Sequence, residues 1–215
     1  ISKVKENLKD DIKLGEMFEK CFLNTINTTI KRMDDNTTYV LTGDIPAMWL
    51  RDSVCQVRPY LVLANEDKEI ADMIEGLVER QFRYILVDPY ANAFNENANN
   101  NGHQSDLTEM KPEIWERKYE IDSLCFPIQL SYLLYKNTGR TSQFNETFVK
   151  GVKEIIKLWK VEQNHEENSP YTFERLDCRQ LDTLSRSGKG PIQKETGMTW
   201  CAFRPSDDAC QYSYL

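Results

Sequence analysis

The sequence predicts an all-α chain built from antiparallel helical hairpins. Apolar residues recur at helical spacing along most of the 215 residues, and the alternation of a half-buried strand is scarce. The connections between the expected helices run long, short, long, short, long. If successive helices are antiparallel, every long loop emerges on one rim, and long loops in compact domains are usually functional. Three hairpins do not readily close a ring, so the pattern describes the N-terminal part of a larger toroid. A complete three-hairpin bundle is the competing architecture.

The first helix is expected over 3–32, with Val4, Leu8, Met17, Phe18, Cys21, Phe22 and Ile26 on its buried stripe. The second covers 53–63. The third, 68–86, has the cleanest periodicity, with Ile70, Met73, Ile74, Leu77, Val78, Phe82, Ile85 and Leu86 at i, i+3, i+4 spacing. A short turn at 65–67 separates the second and third. The fourth helix covers 122–135 and the fifth 142–161, with Gly139 as the stop between them. The sixth begins at Ser206, and the chain ends inside it without a stop signal. The long connections are 33–52, 87–121 and 162–205.

Hydrophobic residues make up 40% of the chain, charged residues 28% and aromatics 11%, an ordinary globular composition that excludes disorder. A net charge of −7 argues against a nucleic-acid partner. No apolar run is long enough for a membrane span, and the N-terminus has no signal-peptide core. Six cysteines show no C-x-x-C spacing. Cys21, Cys55 and Cys125 fall in apolar helical patterns and are expected to be reduced and buried, which favours a cytoplasmic over a secreted protein. Three N-x-S/T sequons, at Asn27, Asn36 and Asn145, point the other way but arise readily by chance in a chain rich in Asn and Thr.

Each long loop ends in the same kind of residues. The first ends in Ala47-Met48-Trp49-Leu50-Arg51-Asp52-Ser53. Asp52 or Ser53 suits a helix cap, but capping leaves Trp49 and Arg51 unexplained. An aromatic face, a guanidinium fork and a carboxylate together suit a sugar ring. The second long loop opens Asn-rich over 92–103 and ends in Trp115-Glu116-Arg117-Lys118-Tyr119-Glu120-Ile121-Asp122. A charge run is normally a solvated face, yet this one leads into apolar residues that must be buried. The third contains Tyr171-Thr172-Phe173-Glu174-Arg175 and ends in Trp200-Cys201-Ala202-Phe203-Arg204-Pro205-Ser206-Asp207-Asp208. There Ser206 suits an N-cap, with Asp207 and Asp208 in the first turn.

The two histidines, His103 and His165, are far apart and lack metal-ligand spacing. There is no P-loop, dinucleotide fingerprint or G-x-S-x-G. An oxygen-only Ca²⁺ site is left open, although the usual loop spacing is absent. Carboxylates beside aromatics, without metal ligands, suggest glycoside chemistry. One acid protonates the leaving oxygen, and a second carboxylate activates water or attacks.

The segments TGDIPAMWLRDS, WERKYEIDSLCFPIQL and RPSDDA resemble, in order and context over nearly the whole chain, the metal-independent exo-α-1,6-mannosidases of glycoside hydrolase family 125. The resemblance implies an (α/α)6 barrel, of which residues 1–215 are about the N-terminal half of a single catalytic domain. It implies removal of non-reducing terminal α-1,6-linked mannose with inversion, from a mannose-containing oligosaccharide or N-glycan fragment, with no metal and no cofactor. The general acid is then Asp207 or Asp208, with Asp208 slightly favoured. The general base is a Glu in the other half. Arg51 and Asp52 contact the sugar, and Glu116, Arg117, Lys118, Tyr119, Glu120 and Asp122 line or support its pocket. Trp49, Trp115 and Arg204 complete the candidate sugar-binding set. Inversion needs two carboxylates about 6.5–9.5 Å apart, so the 215 residues alone are expected to be inactive and poorly stable. An (α/α)6 glycosidase of another sugar specificity and a non-catalytic glycan-binding helical module are the alternatives.

Overall fold

The computed structural model describes residues 1–192, 194–206 and 208–210. It is predominantly helical, as the periodicity requires. Its helices include α1 (Ser2–Asn7), α2 (Ile12–Thr28), α3 (Leu50–Val57), α4 (Lys68–Val87), α5 (Ile121–Thr138), α6 (Glu146–Glu162) and α7 (His165–Asn168). α3 packs on α5, α4 packs on α6, and α4 also touches α5. Alternate helices therefore lie side by side, α3 with α5 in one layer and α4 with α6 in the other. Hairpins placed round a ring produce that pairing.

α4 matches its expected span because local signals and core burial agree. Asp67 caps it, accepting from Glu69 N at 2.9 Å and Ile70 N at 3.2 Å. Its stripe of Ile70, Met73, Ile74, Leu77, Val78, Phe82 and Ile85 is buried, but Leu86, expected on the same stripe, is exposed near the helix end, next to buried Ile85. Full burial of a side chain such as Leu77 or Phe82 contributes roughly 1.5–3 kcal/mol. On the α6 side, Gly151 lets the helices approach, since a Cβ there would lie 2.5 Å from Phe82 Cδ1. α5 ends at Gly139 with φ 70°, the left-handed stop the sequence indicates. α6 starts later than expected because Asn145 caps it, accepting from Phe148 N at 3.0 Å.

The first expected helix is instead two helices and a strand. Asp11 caps α2, accepting from Leu14 N at 3.0 Å, and separates it from α1. At the other end, Thr28 and Thr29 turn their hydroxyls back onto Asn24 O and Thr25 O. Such bonds compete with the helix, and β-branched Ile30 favours the strand that follows. β1 (Ile30–Arg32) pairs antiparallel with β2 (Thr38–Val40), with Lys31 opposite Tyr39. Much of the expected α2 stripe faces out, Met17 among it, while Phe22 and Ile26 pack on the core.

α3 begins at Leu50 rather than Ser53, with Trp49 at the cap position and no side-chain cap. Ser53 donates to Leu50 O at 3.0 Å, so neither it nor Asp52 caps the helix. After Val57 the chain tightens into a 3-10 turn, Arg58–Val62, because Pro59 supplies no N–H. The sixth expected helix is absent among the described residues. Arg204 N donates to Asp208 O at 2.8 Å, and Phe203 bridges Ala209 antiparallel, closing a turn around Pro205 and Ser206. Gln211–Leu215 lie outside the described residues.

The long loops carry structure of their own. β3 (Met48–Trp49), β4 (Ala93–Phe94) and β5 (Ile114–Glu116) form a three-stranded antiparallel sheet, with Trp49 opposite Ala93 and Ala93 opposite Glu116. Strands this short leave no readable alternation. Cys21, Cys55 and Cys125 also correct the sequence reading, since all three are exposed. They sit on the outward faces of α2, α3 and α5, while Cys201 and Cys210 are the buried pair.

Candidate functional site

The three loop ends meet. Leu50 N donates to Asn92 O at 3.0 Å, joining the first loop to the second. Phe203 N donates to Tyr119 O at 3.0 Å, joining the third to the second. Of the residues that sequence reasoning selected, Arg51 reaches Glu120 and Asp122 directly, whereas Arg204 and Asp208 bond to each other within their own turn.

Arg51, in the first turn of α3, stands among three carboxylates. Its Nη1 lies 3.1 Å from Asp122 Oδ2 and 3.5 Å from Glu120 Oε2, and its Nη2 lies 3.1 Å from Asp52 Oδ2. Burial opposes the guanidinium's charge, but Glu120, Asp52 and Asp122 outweigh it and hold the pKa above its ordinary value. Glu120 is fully buried, and Ser123 Oγ donates to it at 3.2 Å. Asp52 and Asp122 remain partly open to solvent. The result is a fixed fork with surplus acceptors, suited to paired hydroxyls.

Along 116–120 the side chains alternate between two environments, as an extended chain dictates. Glu120 joins the Arg51 fork, and Glu116 and Lys118 join a second polar cluster. Arg117 and Tyr119 enter an aromatic layer. Arg117 pairs with Asp88 at 2.8 Å and lies 5.2 Å from the Tyr90 ring and 5.3 Å from the Tyr171 ring. Tyr171 hydroxyl donates to Arg117 O at 2.9 Å and accepts from Tyr119 N at 3.0 Å. Arg117 and Tyr119 thus pack into the aromatic layer of Tyr90 and Tyr171.

Glu116 is the hub of a second buried cluster that the sequence did not reveal. Asn92 Nδ2 donates to its Oε1 at 2.9 Å, and Arg175 Nη2 to its Oε2 at 2.9 Å. Arg175 also grips Asp106 with two bonds, of 2.8 and 2.7 Å. Burial works against the Arg175 charge, yet Asp106 and Glu116 raise its pKa. His103 Nε2 stands 3.7 Å from Glu116 Oε2. Asn92, His103, Asp106 and Arg175 are scattered over the long loops; Asn92 and His103 bound the Asn-rich stretch 92–103 and Arg175 ends the stretch 171–175, but nothing in either composition pairs them with Glu116.

Trp49 is 7% exposed, packed with Ala47 and Ala93 under a half-buried Trp115. Trp49 is therefore part of the base, and Trp115 is the more open ring. Gly102, at φ 95°, passes directly over Trp115, where a Cβ would overlap the Trp115 carbonyl oxygen.

The third loop is latched by Trp200, which stacks on His165 with ring centroids 3.6 Å apart. His165 Nδ1 lies 2.7 Å from buried Glu162. Beyond the latch, Asp208 Oδ2 accepts from Ser206 Oγ at 2.8 Å and from Arg204 Nη2 at 3.1 Å. Arg204 is largely exposed. Asp208 thus rests within its own loop, and Asp207 lies outside the described residues. Among the described residues, no group of three or more His, Cys, Asp or Glu could hold a metal ion. No described helix is long and apolar enough to cross a membrane.

The family model for metal-independent α-mannosidases (GH125) matches residues 11–215. The chain is similar to a solved metal-independent α-mannosidase of Streptococcus pneumoniae, described as a non-productive substrate complex with α-1,6-mannobiose. The identity is 55% and the TM-score 0.96, covering 100% of this chain and 50% of that one. It is 36% identical, over 241 residues, to the meiotically up-regulated gene 157 protein of Schizosaccharomyces pombe, covering 100% of this chain and 46% of that protein. The chain spans about half the length of each.

Proposed function

The chain belongs to the metal-independent α-mannosidases of family GH125, and from that premise we propose that it holds and protonates the substrate of an inverting exo-α-1,6-mannosidase. The observation that carries this reading is the Arg51 fork, set among Asp52, Glu120 and Asp122 where the loop ends meet. Asp52 and Asp122 accept hydroxyls of the terminal mannose, and Arg51 fixes the angle of both carboxylates. Trp115 offers a ring face to the sugar's C–H groups.

The general acid is a carboxyl on the 203–209 turn. Asp208 is our choice, with Asp207 as the alternative. It gives its proton to the glycosidic oxygen as the bond to the anomeric carbon breaks. In the same step a Glu outside residues 1–215 takes a proton from the water that attacks the opposite face of the anomeric carbon. The substrate is a mannose-terminated oligosaccharide or N-glycan fragment. The α-1,6-mannobiose complex of the Streptococcus pneumoniae relative supports that linkage.

The test is full-length protein incubated with α-1,2-, α-1,3- and α-1,6-mannobiose, with the first-formed anomer followed by NMR. The proposal expects turnover of the α-1,6 isomer and initial release of β-mannose. Initial α-mannose would refute inversion, and preference for another linkage would refute the substrate assignment.

A further inference from the structure

Between the latch and the acid-bearing turn, the third loop folds into a short 3-10 turn, Gln180–Asp182. No motif in the sequence marks it. Its Asp182 carboxylate serves two cations. Arg179 reaches it with Nε to Oδ2 at 2.9 Å and Nη2 to Oδ1 at 3.3 Å. Lys118 Nζ lies 3.5 Å from Oδ1.

Lys118 comes from the charged stretch of the second loop, and its side chain is 2% exposed. Its ammonium also lies 4.0 Å from Glu116 Oε2 and 5.2 Å from the centroid of the Phe203 ring. A buried ammonium needs close counter-charge to stay ionised. Asp182 and Glu116 both supply it, from different loops. The Phe203 ring under that ammonium opens the turn that carries Asp208.

The same 3-10 turn holds the far end of that segment through the backbone. Ala209 N, next to Asp208, donates to Leu181 O, next to Asp182, at 2.8 Å. Arg179 is within electrostatic reach of Asp208 as well. The 180–182 turn therefore touches the acid-bearing segment at both ends: directly at Ala209, and through Lys118 at Phe203.

We infer that Asp182 is a positioning residue for the reaction, anchoring Lys118 and the 180–182 turn so that the acid carboxyl is held at a fixed place relative to the Arg51 fork. The inference rests on the proposed function, in which the 203–209 turn supplies the acid. The hydrogen bonds from Arg179, helped by Lys118 and opposed by burial, hold the Asp182 carboxyl below its ordinary range, so its charge persists at neutral pH. Asp182→Asn keeps the shape and the Ala209–Leu181 backbone bond but removes the charge. Lys118 and Arg179 then face a neutral amide, and the turn loses one of the constraints that set its depth. The Arg51 fork is built from the first and second loops, whereas Asp182 lies on the third.

The experiment is steady-state kinetics of full-length protein on α-1,6-mannobiose, with thermal melts of each variant. Asp182→Asn is expected to lower kcat ~10- to 100-fold, the scale of an ångström-sized misplacement of a reacting group. KM is expected to stay within about twofold, and Asp182→Glu to recover kcat to about one third of wild type. A wild-type kcat in Asp182→Asn overturns the inference. So does a parallel loss in kcat and KM with no recovery in Asp182→Glu, which marks a general structural defect. If Asp182→Asn does not fold, Asp182→Glu decides: reduced kcat at unchanged KM supports the inference, and wild-type kcat overturns it. Absence of turnover in the wild type overturns the proposed function itself, and the inference with it.

Discussion

Arg51 and Asp122 stand 71 positions apart in sequence, yet the guanidinium of one lies 3.1 Å from the carboxylate of the other. Each sits in the first turn of its helix, α3 and α5, which pack side by side. The contact fixes how the two helix starts face each other and, with them, the ends of two loops. Arg51→Lys retains the charge but loses the planar fork. It is expected to reduce kcat/KM for α-1,6-mannobiose ~100-fold and to lower stability by about 1.5–3 kcal/mol, the range for hydrogen bonds to charged groups. Kinetics and urea denaturation of the full-length variant check both.

Asp208→Asn in the full-length protein is expected to lower turnover by ~10²–10⁴, the usual contribution of a general acid, while leaving mannose binding intact. Calorimetry with mannose and an assay on mannobiose separate the two effects. A full loss in Asp207→Asn with wild-type turnover in Asp208→Asn would move the acid to Asp207.

The close contact of α4 and α6 gives a prediction independent of function. Gly151→Ala places a methyl 2.5 Å from the Phe82 ring, and that ring is fully buried. Overpacking of this kind costs about 1–3 kcal/mol. A lower melting temperature is expected, with turnover well below that temperature unchanged.

His103 supplies a pH signature. Burial first, and Arg175 next, lower its pKa from 6.5, with Glu116 and Asp106 opposing. The folded state therefore prefers the neutral imidazole. As pH falls through about 6.5 the unfolded chain takes up the proton first, and stability drops until the folded value is passed. Melting temperatures between pH 7 and pH 5 are expected to fall further for wild type than for His103→Gln. Equal slopes would show that His103 carries no such linkage.

Residues differ in how far the sequence alone revealed them. α4 was readable because its caps, propensity and core burial all point the same way. The 3–32 helix was misread because Asp11, Thr28 and Thr29 make side-chain bonds that periodicity does not register. Cys55 and Cys125 follow apolar patterns, yet α3 and α5 turn those positions outward. The fork of Arg51, Asp52, Glu120 and Asp122 was legible because loop length placed its parts on one rim. The Glu116 cluster was not, since Asn92, His103, Asp106 and Arg175 share no spacing and are assembled by loop folding. Asp182 was invisible for the same reason.

The two-sided run at 116–120 has a further implication. Its neighbours are indexed by parity: even numbers serve the two polar clusters, odd numbers the aromatic layer. Replacing one residue damages one side. Deleting one would send every later side chain in the run to the opposite side, driving Lys118's charge into the tyrosines and Tyr119's ring into the carboxylates. Length in this stretch is therefore a stricter constraint than composition, and relatives that share the site should vary here by substitution rather than by insertion or deletion.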